Sequence, residues 1–181
     1  MAIILFVLKC FYFMLPAYFA NMAPVIVKDI LKPMAVPIDF GMKIGGKEIL
    51  GKNKTLRGLF FGIIFAIVIA YFQYLLYSFD YFRGLSFIDY SNWFVVGFLF
   101  GFGALLGDMV KSFFKRRANI KPGERLVPWD QLDFVIGSLV FVNMVVSLTW
   151  DKVFYIAIIS FMGHILVNHA AYYLKIRNEK W

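Results

Sequence analysis

The sequence predicts an all-α integral membrane protein with five transmembrane helices, and three observations predict it. Apolar residues make up 61% and aromatic residues 20% of the 181, with a mean hydropathy of +0.73; a soluble domain is nearer about 45–50% apolar. Five apolar runs, at about 3–27, 55–77, 93–110, 132–148 and 153–174, each approach the roughly 20 residues that cross about 30 Å of hydrocarbon. The lysines and arginines flanking these runs fall sixteen on one side, against Arg83 and Lys152 on the other. The positive-inside rule then puts the N-terminus outside and the C-terminus inside. Two long connectors, 28–54 and 111–131, share the cytoplasmic side, and a single domain, 1–181, is expected at this length.

The first run, Ile3 to Val27, lacks a basic n-region and is long for a signal peptide, so it reads as a retained helix. Pro16 should bend it by removing a backbone donor. Asn21 and Pro24 are unusual near its inner end, and polar groups at membrane depth usually face a cavity or the bundle interior. Asn21 is therefore a candidate cavity-lining residue. Cys10 is the lone cysteine, which excludes an intrachain disulfide and supports no zinc site.

In the first connector Pro33, Pro37, Gly41, Gly45, Gly46 and Gly51 argue against a long helix. Ile38-Asp39-Phe40 and Glu48-Ile49-Leu50 are weakly strand-like. Thr55 is a candidate N-cap for the second run. Gly51 to Gly58, GKNKTLRG, is not a Walker A loop: it has no Gly-Lys-Ser/Thr and a transmembrane run follows. Lys54-Thr55 at a helix start nonetheless offers a cation, a hydroxyl and backbone donors to an anion. A short loop, Ser78 to Asn92, joins the second and third runs, and Trp150-Asp151-Lys152 turns tightly into the fifth.

Most of the chemistry lies between the third and fourth runs, from Gly107 to Asp133. Asp108, Ser112 and Lys115 are four and three residues apart, so on a helix they share one face. Lys115-Arg116-Arg117 follows, and Lys121-Pro122-Gly123 breaks the helix into a loop. Asp130 and Asp133 sit one turn apart at the start of the fourth run. An N-terminal cap accounts for one of these acids; two or three carboxylates completed by phosphate oxygens and water are how proteins hold Mg²⁺. Juxtamembrane cations ordinarily serve topology or anionic lipid, but Arg116 and Arg117 directly follow a helix bearing an acid and a hydroxyl. Arg and Lys clamps of that kind stabilise charge on a transferring phosphoryl group. A hydroxyl, several cations and three carboxylates near one membrane surface are equipment for gripping a polyphosphate through a divalent metal.

On the fifth run His164 and Asn168 share a face. An interhelical hydrogen bond is the ordinary reading of such a pair, and lining a cavity is the functional one. Catalytic Ser-His-Asp, HExxH and CxxC patterns are missing, and nothing points to nucleic acid. A small channel or transporter with cytoplasmic basic loops is the competing reading, but it expects function at mid-bilayer, whereas the charges here gather at one face.

The order Gly107-Asp108, Ser112, Lys115-Arg116, Lys121-Pro122-Gly123 and Asp130-Gln131-Leu132-Asp133 resembles the signature of membrane CTP:phosphatidate cytidylyltransferases. Gln131 stands where the bacterial enzymes have Arg, and the His-Gly-Gly element before the final acids is missing. The chain is most similar in pattern to the small archaeal branch, the CDP-archaeol synthases. Pro16-Ala-Tyr, Asn21-Met-Ala-Pro24, Pro37-Ile-Asp39-Phe-Gly41, Gly51, Lys54-Thr55-x-Arg57-Gly58, Lys115-Arg-Arg117, Asp130-Gln-x-Asp133-Phe, His164-x-x-x-Asn168 and Trp181 follow in that family's order. The resemblance implies a Mg²⁺-dependent reaction of CTP with an isoprenoid ether-lipid phosphate, 2,3-di-O-geranylgeranylglycerol 1-phosphate, giving CDP-archaeol and pyrophosphate. It implies that Asp130 and Asp133, with Asp108, hold the metal. Ser112, Lys115 and Arg116, joined by Arg117, Lys54, Thr55 and Arg57, would bind the nucleotide phosphates; Asp130, Asp133 and Lys115 would carry catalysis. CTP, the lipid phosphate and membrane lipids are the expected partners, with no obligate protein partner.

Overall fold

A computed structural model of the chain describes residues 2–121, 124 and 126–173, apart from the side chains of residues 168, 170 and 171. Helix α1 is Ala2–Ile26, α2 Leu56–Leu76, α3 Asp80–Leu85, α4 Trp93–Arg117, α5 Trp129–Val142 and α6 Trp150–Tyr173. Between α1 and α2 lie a 3-10 turn, Lys32–Met34, and a two-stranded hairpin of β1 (Lys43–Ile44) and β2 (Lys47–Glu48). The helices are apolar around most of their circumference. Ile3, Phe60, Phe72, Val140 and Leu166 stay exposed, as lipid-facing side chains of a multi-pass membrane protein do.

Among the described residues four helices, α1, α2, α4 and α6, are long and apolar enough to cross a membrane. The fourth apolar run differs from its expectation of 132–148. Helix α5 starts earlier, at Trp129, and stops at Val142. Its 14 residues span about 21 Å at 1.5 Å per residue, less than the hydrocarbon thickness. Asn143 ends it: its side-chain oxygen accepts a hydrogen bond from the Leu148 amide at 2.6 Å, holding the chain in a turn. The third run is longer than expected. Helix α4 continues past Val110 to Arg117, so the connector expected over 111–131 is helical in its first third.

Helix α4 is the centre of the bundle, packed against α1, α2 and α5. Glycines let it approach two neighbours at once. A Cβ on Gly101 would lie 2.9 Å from the Ile63 Cα of α2, and one on Gly103 2.5 Å from the Gly137 carbonyl of α5. One turn on, a Cβ on Gly107 would collide with the Asp133 carbonyl. Small residues spaced by four let membrane helices touch backbone to backbone. Ser138 adds a tie, its hydroxyl lying 3.2 Å from the Phe100 carbonyl across the same interface. The core around these contacts is aromatic and small-residue, with Phe13 edge-on to Phe100 at 5.0 Å and Ala17, Ala20, Ala66 and Ala104 fully buried.

The first connector is ordered by its own residues. Gly45 and Gly46 both have positive φ, the geometry of a two-residue turn that matches strand twist. The buried Asp39 carboxylate accepts from the amides of Gly41 at 3.0 Å, Leu50 at 2.8 Å and Gly51 at 3.4 Å. The hairpin is clasped to the end of α4: the Arg117 guanidinium donates to the carbonyls of Ile44, Lys47 and Glu48, and the Lys47 ammonium donates back to the Arg117 carbonyl at 3.1 Å.

Candidate functional site

The last three turns of α4 carry Asp108, Lys111, Ser112 and Lys115 on one inward face. The glycine contact brings the start of α5 to the same level, so Asp130 and Asp133 join them, while Lys54 arrives from the first connector. The Lys54 ammonium donates to Asp108 Oδ2 at 2.5 Å. Lys111 Nζ lies 3.1 Å from Asp108 Oδ1, 3.1 Å from Asp130 Oδ1 and 2.6 Å from Asp133 Oδ2. Lys115 Nζ reaches both Asp130 oxygens, at 3.1 and 3.2 Å, and donates to the Glu124 carbonyl. Three carboxylates and three ammonium groups thus form one cluster. Burying that many charges is tolerable because each faces an opposite one.

Two hollows open on either side of the cluster. One is an apolar cleft of about 470 Å³ between α4 and α5, walled by Val110, Phe114, Trp129, Ile136 and Val140, with Lys111 and Asp133 at its polar end. The other is a basic hollow of about 100 Å³, lined by Gly51, Lys52, Asn53 and Lys54 from the connector and by Lys111, Ser112, Lys115 and Arg116 from α4. A smaller hollow of about 40 Å³ adjoins it at Asn53 and Lys54 and reaches Thr55 and Asp108.

The sequence-expected residues divide clearly in this geometry. Asp108, Asp130, Asp133, Ser112, Lys115, Arg116 and Lys54 come together. Arg116 lines the basic hollow, which places a cation beside an anion-sized space. The Ser112 hydroxyl donates to the Asp108 carbonyl at 2.8 Å, and the residue lines the hollow. Thr55 caps α2, its hydroxyl accepting from the Gly58 amide at 3.2 Å, and it reaches the smaller hollow alone. Arg57 and Arg117 are not brought in. Arg57 donates to the Ile30 carbonyl at 2.9 Å, and Arg117 clasps the hairpin. Asn21 lines none of these three hollows. His164 packs its ring 6.3 Å from Phe134, next to Asp133 in the chain. The Asn168 side chain lies outside the described residues.

Sequence reasoning missed two residues. Lys111 sits at the middle of the acids, and its spacing from Asp108 and Lys115 puts it on the same helix face, a signal that was present. Asp39 organises the connector that supplies Lys54; its place between two turn-forming stretches was the hint.

The carboxylates suit a hard divalent cation. Asp133 is buried, its side chain only 5% exposed, and its Oδ2 is held by the Lys111 ammonium at 2.6 Å. A divalent cation takes this oxygen by displacing that ammonium. As they stand, no three Asp, Glu, His or Cys side chains among the described residues form a ready-made metal cage, because the Lys111 ammonium lies between them. Two carboxylates completed by phosphate oxygens and water suffice for Mg²⁺.

Comparison with known proteins gives a consistent result. The family model described as CarS-like, CDP-archaeol synthase, matches residues 2–181. A CDP-archaeol synthase of Pyrococcus abyssi is 35% identical over 176 residues, covering 97% of this chain and 98% of its own. That of Methanocaldococcus jannaschii is 34% identical over 175 residues, 94% of each chain. A solved structure, described as an intramembrane enzyme for archaeal membrane lipids biosynthesis, superposes with a TM-score of 0.72 at 28% identity, covering 90% of this chain and 94% of that one.

Proposed function

The chain belongs to the CarS-like CDP-archaeol synthase family, and on that premise we propose that it joins CTP to 2,3-di-O-geranylgeranylglycerol 1-phosphate in the membrane. The products are CDP-archaeol and pyrophosphate. The observation that carries this reading is the meeting of an apolar cleft and a basic hollow at one cluster of acids and lysines. The cleft suits isoprenoid chains and opens along α4 and α5, where lipid has lateral access. The basic hollow suits a triphosphate.

The reaction is an in-line displacement. An oxygen of the lipid phosphate attacks the α-phosphorus of CTP. The bond from that phosphorus to the oxygen bridging to the β-phosphorus breaks, and its electron pair leaves with pyrophosphate. No protein nucleophile and no general base are needed, because a phosphate monoester is already ionised at neutral pH. Lys54, Lys115 and Arg116 neutralise charge on the phosphates, and Ser112 borders them; positioning and electrostatics carry the rate. Asp130 and Asp133, with Asp108, would hold Mg²⁺, which when bound supplies further neutralisation of the leaving group. We read α5 as a fifth crossing, shortened because its first turn belongs to the site. With sixteen flanking cations on the connector side, the site faces the cytoplasm.

The test is a purified-protein assay in nanodiscs with CTP, Mg²⁺ and the lipid phosphate. Stoichiometric pyrophosphate and a CDP-lipid by mass spectrometry are expected. Neither product above the protein-free rate overturns the reading.

A further inference from the structure

Lys111 holds a place that no other cation of the site shares. Its ammonium reaches Asp108, Asp130 and Asp133 together, and among the described residues it alone lines both the apolar cleft and the basic hollow. Lys54 and Lys115 each face a single acid of the cluster. Without Lys111, three carboxylates would crowd a mostly buried space with two peripheral counter-charges among the described residues, and Asp133 would have none of these within ion-pair distance. A divalent cation held by the same oxygens would compete with the ammonium for them. A lysine stem is flexible and its charge compact, so the ammonium has somewhere to go: the polar end of the cleft, where a buried phosphate needs a cation.

We propose that Lys111 is a tethered counter-cation that holds the three carboxylates together before metal binds, then exchanges them for the phosphate of the lipid in the cleft. The first half stands on the ion pairs alone; the second rests on the transferase reading. Lys111 is on this view a positioning residue for metal and lipid.

The experiment uses the full chain in detergent and nanodiscs, with Lys111→Met. Mn²⁺ binding, followed by electron paramagnetic resonance without nucleotide, should tighten at least about tenfold when the competing charge is removed. In EDTA the thermal midpoint should fall by about 5 °C or more, as expected when one partner of a buried ion pair is lost, and saturating Mn²⁺ should restore it. If Lys111→Met does not fold, the double variant Lys111→Met/Asp133→Asn removes both members of the shortest pair that Lys111 makes and should recover the metal-free midpoint. In turnover, Lys111→Met should raise KM for the lipid phosphate at least about tenfold and KM for CTP by no more than about twofold. Unchanged or weaker Mn²⁺ binding in the folded variant, or a double variant as unstable as the single one, overturns the counter-cation. Equal rises in both KM values overturn the exchange. Tightened Mn²⁺ binding with no CDP-lipid from the wild type overturns the transferase reading and leaves the counter-cation standing.

Discussion

Gly107 of α4 lies directly against the Asp133 carbonyl of α5, so close that no side chain fits between them. This contact sets the height of Asp133 beside Lys111 and Asp108. Gly107→Ala should cost about 1–3 kcal/mol of stability through overpacking. It should also lower turnover by about a hundredfold, because displacing a site carboxylate by an ångström is enough to do so. Gly84→Ala is the control: a Cβ there meets nothing within 4 Å, and both properties should stay at wild-type values. Thermal melts and initial rates measure the pair.

The acids should be separable from one another. Asp133→Ala and Asp130→Ala should each lower kcat by about a hundredfold or more, with the Mg²⁺ requirement raised. Asp130→Ala should in addition loosen the turn before α5, since its Oδ2 accepts from the Leu126 amide at 2.5 Å. A Mg²⁺ titration of turnover checks both; rates near wild type across the titration would reject the metal assignment.

Two adjacent arginines should behave oppositely. Arg116→Ala, losing a charge in the basic hollow, should raise KM for CTP about tenfold and leave the melting midpoint alone. Arg117→Ala should lower the midpoint by unclasping the hairpin, which it holds through three carbonyls. Reversed outcomes would exchange their roles.

Ser112→Ala should raise KM for CTP by about two- to tenfold, the effect of one ordinary hydrogen bond. An unchanged KM would take the hydroxyl out of the nucleotide site and leave it as a backbone tie to Asp108.

The connector should be acid-labile. Burial pushes the Asp39 carboxyl up, but the amides of Leu50, Gly41 and Gly51 outweigh it and hold it below its ordinary value. A carboxyl so depressed contributes stability that is fully present above its unfolded value of about 3.9 and is lost as pH falls through the lower folded one. The wild-type midpoint should therefore be insensitive to this group above about pH 5 and drop below about pH 4. Asp39→Asn should flatten that acid limb and raise KM for CTP at pH 7, because Lys52 to Lys54 hang from the loop that Asp39 orders. Melts from pH 3 to pH 7 test the first claim and kinetics the second.

The long apolar helices were legible because hydropathy alone specifies them, and the acids and cations between the third and fourth runs were legible because charge beside a membrane span stands out. Hydropathy misplaced the ends of three helices, α4, α5 and α6, the last of which begins at Trp150 where a tight turn over Trp150 to Lys152 was expected, for one reason: it reads polarity, not backbone conformation. Lys111, Ser112 and Lys115 are polar and still helical, so α4 runs on to Arg117; Val145 and Val146 are apolar and lie outside α5. The arginines were ambiguous in sequence because a guanidinium serves a backbone carbonyl as well as a phosphate. Arg57 and Arg117 took carbonyls, and only the fold distinguishes them from Arg116. Lys111 was hidden by its ordinariness, an i, i+3 partner for Asp108, until α5 brought two further acids to it.

Among the described residues, the greasy cleft and the charged hollow share one lining side chain, that of Lys111. On the proposed reading, a triphosphate that never leaves water and a pair of isoprenoid chains that never enter it need no common medium to react. Each would stay in its own phase, and only their phosphorus-bearing ends would meet, beside a single lysine.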